Sequence, residues 1–311
     1  MIGVAPPGAP GSAGAGGSGA AKPVGVAAAP VGPSGLRLFG GNRRGLWLGL
    51  GLLLCLVAIS LLAPLITHWD PTFEGPQGLG PGGIPLPAGS PDHVLGTDPK
   101  GRDLLARILF AGRVTLVVAL AAVAIATAAG LLVGLAAAGR GGFVAGVLMR
   151  STDLGLAIPG LLLVAAIATI LGRGQVSLVV GLAAVFWAPI ARVTYGQAVV
   201  LRERRYVEAA QVQSAGSLWV LRRHVLPHLA PVVGAYAALS VGWAVLFEAS
   251  LGFLGAGIPE PTPSIGGLLG YAGTYYRTDP GLILYPALFL GVLVLAVNLV
   301  GEALRTPGEG A

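Results

Sequence analysis

The stretch LWLGLGLLLCLVAISLLAPLI, residues 46–66, contains 21 residues and no charge. A helix needs about 20 predominantly apolar residues to cross the hydrocarbon core of a bilayer. Two arginines, Arg43 and Arg44, precede it closely. Across the 311 residues, 54% are hydrophobic and only 10% are charged, whereas soluble domains carry about 25% charged residues. The sequence therefore predicts an all-α integral membrane protein.

Further apolar runs follow along the chain, near residues 114–138, 154–172, 176–199, 229–254 and 282–300. Pro159, Pro189 and Pro286 lie inside these runs. Membrane helices tolerate proline when their neighbours satisfy the backbone groups that it leaves free. We therefore expect a bundle of six transmembrane helices, some of them kinked.

The distribution of lysine and arginine predicts the orientation of these helices, because cytoplasmic loops are enriched in both. A cytoplasmic N-terminus leaves 13 of the 19 basic residues inside and 6 outside. Both termini are then cytoplasmic. The polar segment 67–113 lies outside and contains an interfacial helix, and the segment 201–228 lies inside.

The sequence divides into four parts by composition. Residues 1–40 are rich in Gly, Ala and Pro, and such a tail buries too little apolar surface to offset its chain entropy, so we expect disorder. Residues 41–113 hold the first transmembrane helix and the external loop with its interfacial helix. Residues 114–305 form the remaining transmembrane domain, and residues 306–311 are a short tail.

Several functional classes are disfavoured by the composition. The net charge is +6, but the basic residues lie between apolar runs and form no stripe suited to nucleic acid. The single cysteine, Cys55, excludes a multi-cysteine metal site. No G-x-x-x-x-G-K-[ST] phosphate loop is present, and we recognise no nucleophile–base pair. We therefore expect no catalytic residues, metal or cofactor on this chain.

The segment LRERRYVEAAQVQSAGSLWVLRRHVLPH, residues 201–228, is the most informative polar part of the sequence. It predicts two short helices broken near Ser214–Ser217. Its two adjacent alanines allow another backbone to come close, and Glu208 offers a charge-assisted contact to a partner. Pro227 suits a helix start, where its missing N–H costs little. On spacing alone, a coupling surface and a basic loop that anchors to membrane lipid are equally consistent with this segment.

This segment resembles the cytoplasmic "EAA" loop of permease subunits in binding-protein-dependent ABC importers. The resemblance implies a coupling helix that docks in a groove of the ATPase subunit. Ser214 stands where the family has a glycine, and Gly216 stands two residues later. The residues that the resemblance assigns to this contact are Tyr206, Glu208, Ala209, Ala210, Ser214, Gly216, Leu226 and Pro227.

Two further stretches resemble the dipeptide, oligopeptide and nickel permease family, in its "C" type of subunit. They are LGTDPKGRDLLARILFAGRVTL, residues 95–116, and FEASLGFLGAGIPEPTPSIG, residues 247–266. We interpret the individual residues of the first as structural. In the second, Glu248 is an ionisable group in a membrane segment, which is costly without a partner or a wet cavity. It lies either on the solute path or in a hydrogen-bonded helix end near the outer interface.

The resemblance also implies partners and a location. These are a second, related permease subunit, two ATPase subunits that hold ATP and Mg²⁺, and an external solute-binding protein, all at the bacterial inner membrane. The solute would be a peptide, nickel or a related small molecule, and transport would proceed by alternating access. The main alternative is an ion-coupled secondary transporter, which needs coupling-ion ligands near the midplane. A membrane enzyme and a basic membrane anchor are further alternatives.

Overall fold

The structure is a computed structural model that describes residues 43–204, 217–273, 275, 277 and 279–305. Its longer elements are helices, and three isolated β-bridges occur in the loop that follows the first helix. In chain order the helices are α1 (Arg43–Leu61), α2 (Leu104–Arg140), α3 (Gly142–Ala157), α4 (Gly160–Leu171), α5 (Gln175–Arg202), α6 (Leu226–Phe253), α7 (Ile265–Ala272) and α8 (Gly281–Arg305).

Short helical turns complete the described chain. A turn at Ala63–Ile66 follows α1, and two 3-10 turns, Pro76–Gly78 and Pro81–Gly83, lie in the loop before α2. A helical turn, Ser217–Val220, and a π-helical turn, Leu221–Val225, lead directly into α6.

Within the described residues, α1, α2, α5, α6 and α8 are each long and apolar enough to cross a membrane. The pair α3 and α4 also meets this criterion, but it bends by 89° at the break between Ala157 and Gly160. Counted as one span, this pair gives the six expected from the sequence. Pro159 lies in the break, whereas Pro189 and Pro286 lie inside α5 and α8.

The helix α2 is longer than the sequence predicts. We expected an interfacial helix and then a span beginning near residue 114, but one helix of 37 residues runs from Leu104 to Arg140. The side chain of Asp103 accepts a hydrogen bond from the backbone N–H of Ala106 at 2.7 Å and caps this helix. Leu104, Ala106 and Ile108 are already buried, so the first turns pack against protein.

The core of the bundle is the contact between α2 and α5, where glycines allow close packing. A Cβ atom at Gly130 would lie 2.7 Å from Cγ2 of Ile190. One turn later, a Cβ at Gly134 would lie 2.6 Å from the carbonyl oxygen of Ala191 and from Cβ of Thr194. Real Cβ atoms do not approach so closely, so the two helices can meet at this distance only where side chains are absent. Small residues four apart are typical of helix contacts in membranes.

The six-span topology places the segments 67–103, 172–174 and 254–264 on one side of the bundle, which we call the loop face. Contacts confirm this grouping. Arg173 donates a hydrogen bond to the carbonyl oxygen of Gly255, and Lys100 pairs with Glu260. On the opposite face, the side chain of Arg202 donates to the carbonyl oxygen of Ala138.

Candidate functional site

The segment expected to couple to an ATPase is only partly described. Tyr206, Glu208, Ala209, Ala210, Ser214 and Gly216 lie outside the described residues, as does most of the predicted pair of short helices. Leu226 and Pro227 are described and lie in the first turn of α6, directly after the π-helical turn. Leu226 is half-buried and Pro227 is exposed. The beginning of α6 thus presents part of its surface on the face opposite the loop face.

The turn just before α6 is basic and exposed. Trp219 has 53% of its surface exposed, and Arg222 and Arg223 are also exposed. Val220 and Val225 are buried and hold this turn against the bundle. The described end of the 201–228 segment therefore combines an apolar anchor with an aromatic and cationic outer surface. Such a surface can pair with an acidic partner protein or with anionic lipid.

An ion cluster, formed by Glu74, Asp98, Lys100, Arg102, Arg107 and Glu260, lies on the loop face. The side chain of Arg102 is fully buried. Its guanidinium lies 2.6 Å from Asp98, 3.0 Å from Glu260 and 3.2 Å from Glu74. Three carboxylates around one buried arginine satisfy its donors, as burial of a charge requires. The cluster connects the segment before α2 with the segment between α6 and α7.

Glu260 is the member of the ion cluster that comes from the far end of the chain. Partial burial alone would raise the pKa of its carboxyl group. Hydrogen bonds from Arg102 and Lys100, together with their positive charges, outweigh that effect and lower the pKa to about 2. The carboxylate therefore stays ionised and paired throughout the neutral and mildly acidic range.

This lowered pKa predicts a pH-dependent stabilisation. The folded pKa of Glu260, about 2, lies below its ordinary value of 4.5, so the stabilisation is complete above about pH 4.5 and is lost as the pH falls towards 2. At pH 7 we expect Glu260→Gln to lower the free energy of unfolding by about 1 kcal/mol, because solvent screens this half-exposed pair. The difference from the wild type should shrink between pH 4.5 and 2, as measured by denaturation in mixed micelles.

Glu203→Gln is the matched control, since Glu203 is exposed on the opposite face. Its effect should be small and should not follow that pH profile. A Glu260→Gln deficit that is equally large at pH 7 and at pH 2 would contradict an ionised, paired Glu260.

The other polar residues of the 95–116 stretch hold the loop together, which agrees with the structural interpretation. The hydroxyl of Thr97 donates to the carbonyl oxygen of Gly78 at 2.6 Å and accepts from the N–H of Leu86 at 2.8 Å. His93 and Asp103 are both buried, with 2.8 Å between Nδ1 and Oδ2, and the ring of His93 stacks on Trp69. The motif therefore fastens a polar loop of about 35 residues onto the start of α2.

Glu248 lies in α6 and has no exposed surface. The hydroxyl of Thr115, in α2, donates a hydrogen bond of 2.9 Å to its Oε2. Glu248 lines neither the cavity beside the break between α3 and α4, described next, nor three smaller cavities among the described residues. Of the two interpretations from the sequence, this geometry supports a hydrogen-bonded position in the last turns of α6.

A cavity of about 450 Å³ lies beside the break between α3 and α4. Tyr236, Ser240, Trp243 and Phe247 line it from one face of α6, at successive spacings of three or four residues. Ile158 and residues of α5 complete the wall. The lining residues that the structure describes carry no charge, so this cavity offers aromatic faces and two hydroxyl groups.

Asp153, in α3, links two arginines on the opposite face. Arg150 lies three residues earlier in the same helix, with 3.4 Å between its Nη1 and Oδ2 of Asp153. Asp153 also pairs with Arg192 of α5, which the sequence did not predict. This second contact connects the first half of the broken span to the core helix α5.

Several of these contacts carry no signal in the sequence. Arg102 and Asp98 are four residues apart, so their pairing could have been expected. Glu260 lies 158 residues from Arg102 and Glu248 lies 133 residues from Thr115, and no local pattern predicts either pair. Only the tertiary arrangement of α2 and α6 brings them together.

Comparison with known proteins places these features in a family. Residues 130–306 match the family described as "Binding-protein-dependent transport system inner membrane component". A putative peptide transport system permease protein of Brucella suis biovar 1 (strain 1330) is 34% identical over 287 residues, covering 90% of this chain and 92% of that protein. The di/tripeptide transport system permease protein DppC of Pseudomonas aeruginosa (strain UCBPP-PA14) is 36% identical over 265 residues, covering 85% and 87%.

A solved structure shares the fold. An inward-facing conformation of the MetNI methionine ABC transporter aligns with a TM-score of 0.53 at 20% identity and covers 63% of this chain and 93% of the matched chain. At this identity the likeness concerns the fold alone. The family match and the two relatives are decisive: this chain belongs to the inner membrane components of binding-protein-dependent transport systems, and it is the membrane-spanning permease part of such a system.

Proposed function

We propose that this chain is one of two permease subunits of an ATP-driven importer of peptides. The observation that carries the proposal is the 36% identity, over 85% of the chain, to a protein named as a di/tripeptide permease. The broken span α3–α4 supports a transport role. Irregular backbone at membrane depth is tolerated where it is buried in protein or lines a cavity, and a cavity lies beside this break.

In this proposal the other functions of the importer belong to separate subunits. Two separate ATPase subunits bind ATP and Mg²⁺ and hydrolyse the nucleotide, a second related permease completes the solute path, and an external binding protein delivers the solute. The protein lies in the bacterial inner membrane with both termini cytoplasmic, so the loop face is external. The exposed basic turn at Arg222 and Arg223 supports this orientation, because cytoplasmic segments are rich in arginine.

The mechanism is alternating access driven by the ATPases. Closure of the ATPases on ATP moves the 201–228 segment, and this movement reaches the bundle through α6, which begins inside the segment at Leu226. Glu208 and the two alanines after it form the docking contact, and Leu226 and Pro227 begin the helix that transmits the motion. Hydrolysis then returns the bundle to its resting state.

The experiment that tests this proposal is the solute-stimulated ATPase activity of the reconstituted complex, with Glu208→Lys compared against the wild type. We expect the substitution to uncouple or dissociate the ATPase by a factor of at least about ten, since a lost charge-assisted contact becomes a repulsive one. The helices should remain inserted. Glu203→Lys, a nearby exposed glutamate at the end of α5, is the matched control and should retain activity.

Unchanged ATPase activity and unchanged assembly in Glu208→Lys would assign the segment to lipid anchoring and remove the coupling role. The alternative function, an ion-coupled secondary transporter, is separated by a different measurement. Uptake that persists after the partner ATPase has been inactivated would favour ion coupling, whereas uptake that stops supports ATP as the energy source.

A further inference from the structure

The surroundings of Glu248 define what its carboxyl group can do. Its Oε2 accepts the hydrogen bond from Thr115. Its Oε1 is buried and meets no hydrogen-bond partner at full geometry within the described part of the chain, but the side chain of Ser264, the residue that caps α7, also lies beside the carboxyl group. Among the described residues, no lysine, arginine or histidine forms an ion pair with it.

An ionised carboxylate is costly at such a position. A charge inside a membrane bundle costs about 2.5–3.5 kcal/mol even on insertion scales, and more when no partner compensates it. The hydroxyl of Thr115, the donor with full hydrogen-bond geometry, contributes about 1.5–3 kcal/mol to a charged acceptor, which does not exceed that cost. These magnitudes indicate that the position requires a polar side chain that accepts a hydrogen bond, and that a negative charge is not what it requires.

The neighbouring polar atoms are also uncharged. Thr115 lies one helical turn after Gly112, and a Cβ atom at Gly112 would lie 2.8 Å from the hydroxyl oxygen of Ser60 in α1. That hydroxyl is buried and has no partner in the described residues either. Polar groups of α1 and α6 thus approach the same stretch of α2, and the hydroxyl of Ser60 is uncharged.

The part of α6 that contains Glu248 also packs directly against the short helix α7. The next residue, Ala249, presents its carbonyl oxygen where a Cβ atom at Gly266 would overlap it. A Cβ atom at Gly252 would lie 2.7 Å from the carbonyl carbon of Gly266. Because α7 packs on α6 backbone to backbone, any shift of α6 at Glu248 displaces α7 too. Nearby, the ion pair between Arg102 and Glu260 joins the segment before α2 to the segment between α6 and α7.

We propose that Glu248 is a positioning residue that acts through its hydrogen bond and not through its charge, and that it locks α6 and α7 to α2 as one unit at the loop face. The lock keeps the external ends of these helices together while the helices rearrange elsewhere. This role goes beyond the proposed import function and rests on it only for the transport readout.

Three variants of the full chain, assembled with its partner subunits, test the proposal. Glu248→Gln keeps an oxygen acceptor and the size of the side chain but removes the charge. Glu248→Leu removes both, and Thr115→Val removes the donor with little change in shape. The readouts are thermal unfolding of the solubilised complex and uptake of radiolabelled Ala-Ala dipeptide into proteoliposomes, resolved into kcat and KM.

We expect Glu248→Gln to retain the wild-type unfolding temperature and to keep kcat and KM within twofold. Glu248→Leu and Thr115→Val should both lower the unfolding temperature and reduce kcat at least fivefold. A double variant that combines Glu248→Leu with Thr115→Val should unfold at the same temperature as Glu248→Leu alone and have the same kcat, because both substitutions remove the same bond. If Glu248→Leu does not assemble, Glu248→Gln and Thr115→Val still decide the question.

A stable Glu248→Gln complex whose KM rises tenfold or more would overturn the proposal, since the charge would then contact the solute. A neutral Thr115→Val would overturn it as well. If the wild-type complex takes up no dipeptide, the peptide assignment fails, and the order of the unfolding temperatures alone supports or refutes the positioning role.

Discussion

Replacement of Gly134 by leucine is expected to cost at least about 3 kcal/mol and to prevent accumulation of the folded permease. A Cβ atom at this position would lie 2.6 Å from the backbone carbonyl oxygen of Ala191. Overpacking in cores typically costs about 1–3 kcal/mol when side chains can adjust. Here one neighbour is backbone, so α2 and α5 must separate along their contact. Denaturation in mixed micelles and size-exclusion profiles of a fluorescent fusion measure the effect.

Gly139→Leu provides the matched control for this prediction. Gly139 lies in the same helix, and a Cβ atom there would meet no heavy atom within 4 Å. Both substitutions gain the same intrinsic helix propensity, about 0.8–1.0 kcal/mol at most. Any difference between them therefore reports the contact with α5. Equal stabilities for the two variants would contradict the close approach of these helices.

The spans and their grouping were predictable from the sequence because each depends on local composition. An apolar run such as 46–66 identifies a span without reference to the rest of the chain. The break at Pro159 was foreseen as a kink, but its angle of 89° was not. The angle depends on how α4 packs against α5, where Val164 contacts Gly181. The hydrophobic periodicity of either helix does not predict such a contact.

The start of α2 shows why a boundary can be misjudged. Arg107 and Arg113 interrupt the apolar run, so the sequence favoured a span that begins after them. In the structure, Arg107 is buried beside Asp98 and Glu260, and the helix continues through it. The compensating charges come from two other segments, so hydropathy alone places this boundary too late.

The ion cluster yields the second large expected effect. Arg102→Met removes the central cation and leaves Asp98, whose side chain is only 2% exposed, without its closest partner. Breaking one side of a buried ion pair costs about 3–5 kcal/mol, because the remaining charge stays buried without compensation. We expect Arg102→Met to lower the free energy of unfolding by that amount at neutral pH, measured by the same denaturation in mixed micelles.

Lys100→Met is the control that removes a positive charge from an exposed position. Lys100 pairs with the same Glu260 and Glu74 as Arg102, but its side chain is 37% exposed. Pairs of this exposure contribute about 0–1 kcal/mol, so its effect should be several-fold smaller. Equal losses in the two variants would show that Arg102 is hydrated and that the cluster is a surface network.

The fate of Asp98 decides how large the Arg102→Met effect becomes. Its Oδ1 accepts backbone hydrogen bonds from Lys100 at 2.9 Å and from Arg102 at 3.0 Å, and a methionine at position 102 preserves the second of these. Those bonds stabilise the carboxylate and place the expected loss nearer about 3 than 5 kcal/mol. In the Arg102→Met background, Asp98 keeps only Arg107, at 3.5 Å, as a cationic partner. Asp98→Asn removes this weakly compensated charge while keeping the hydrogen-bond acceptor. It should therefore restore part of the lost stability, and failure to do so would show that the loss comes from the packing of the Arg102 side chain.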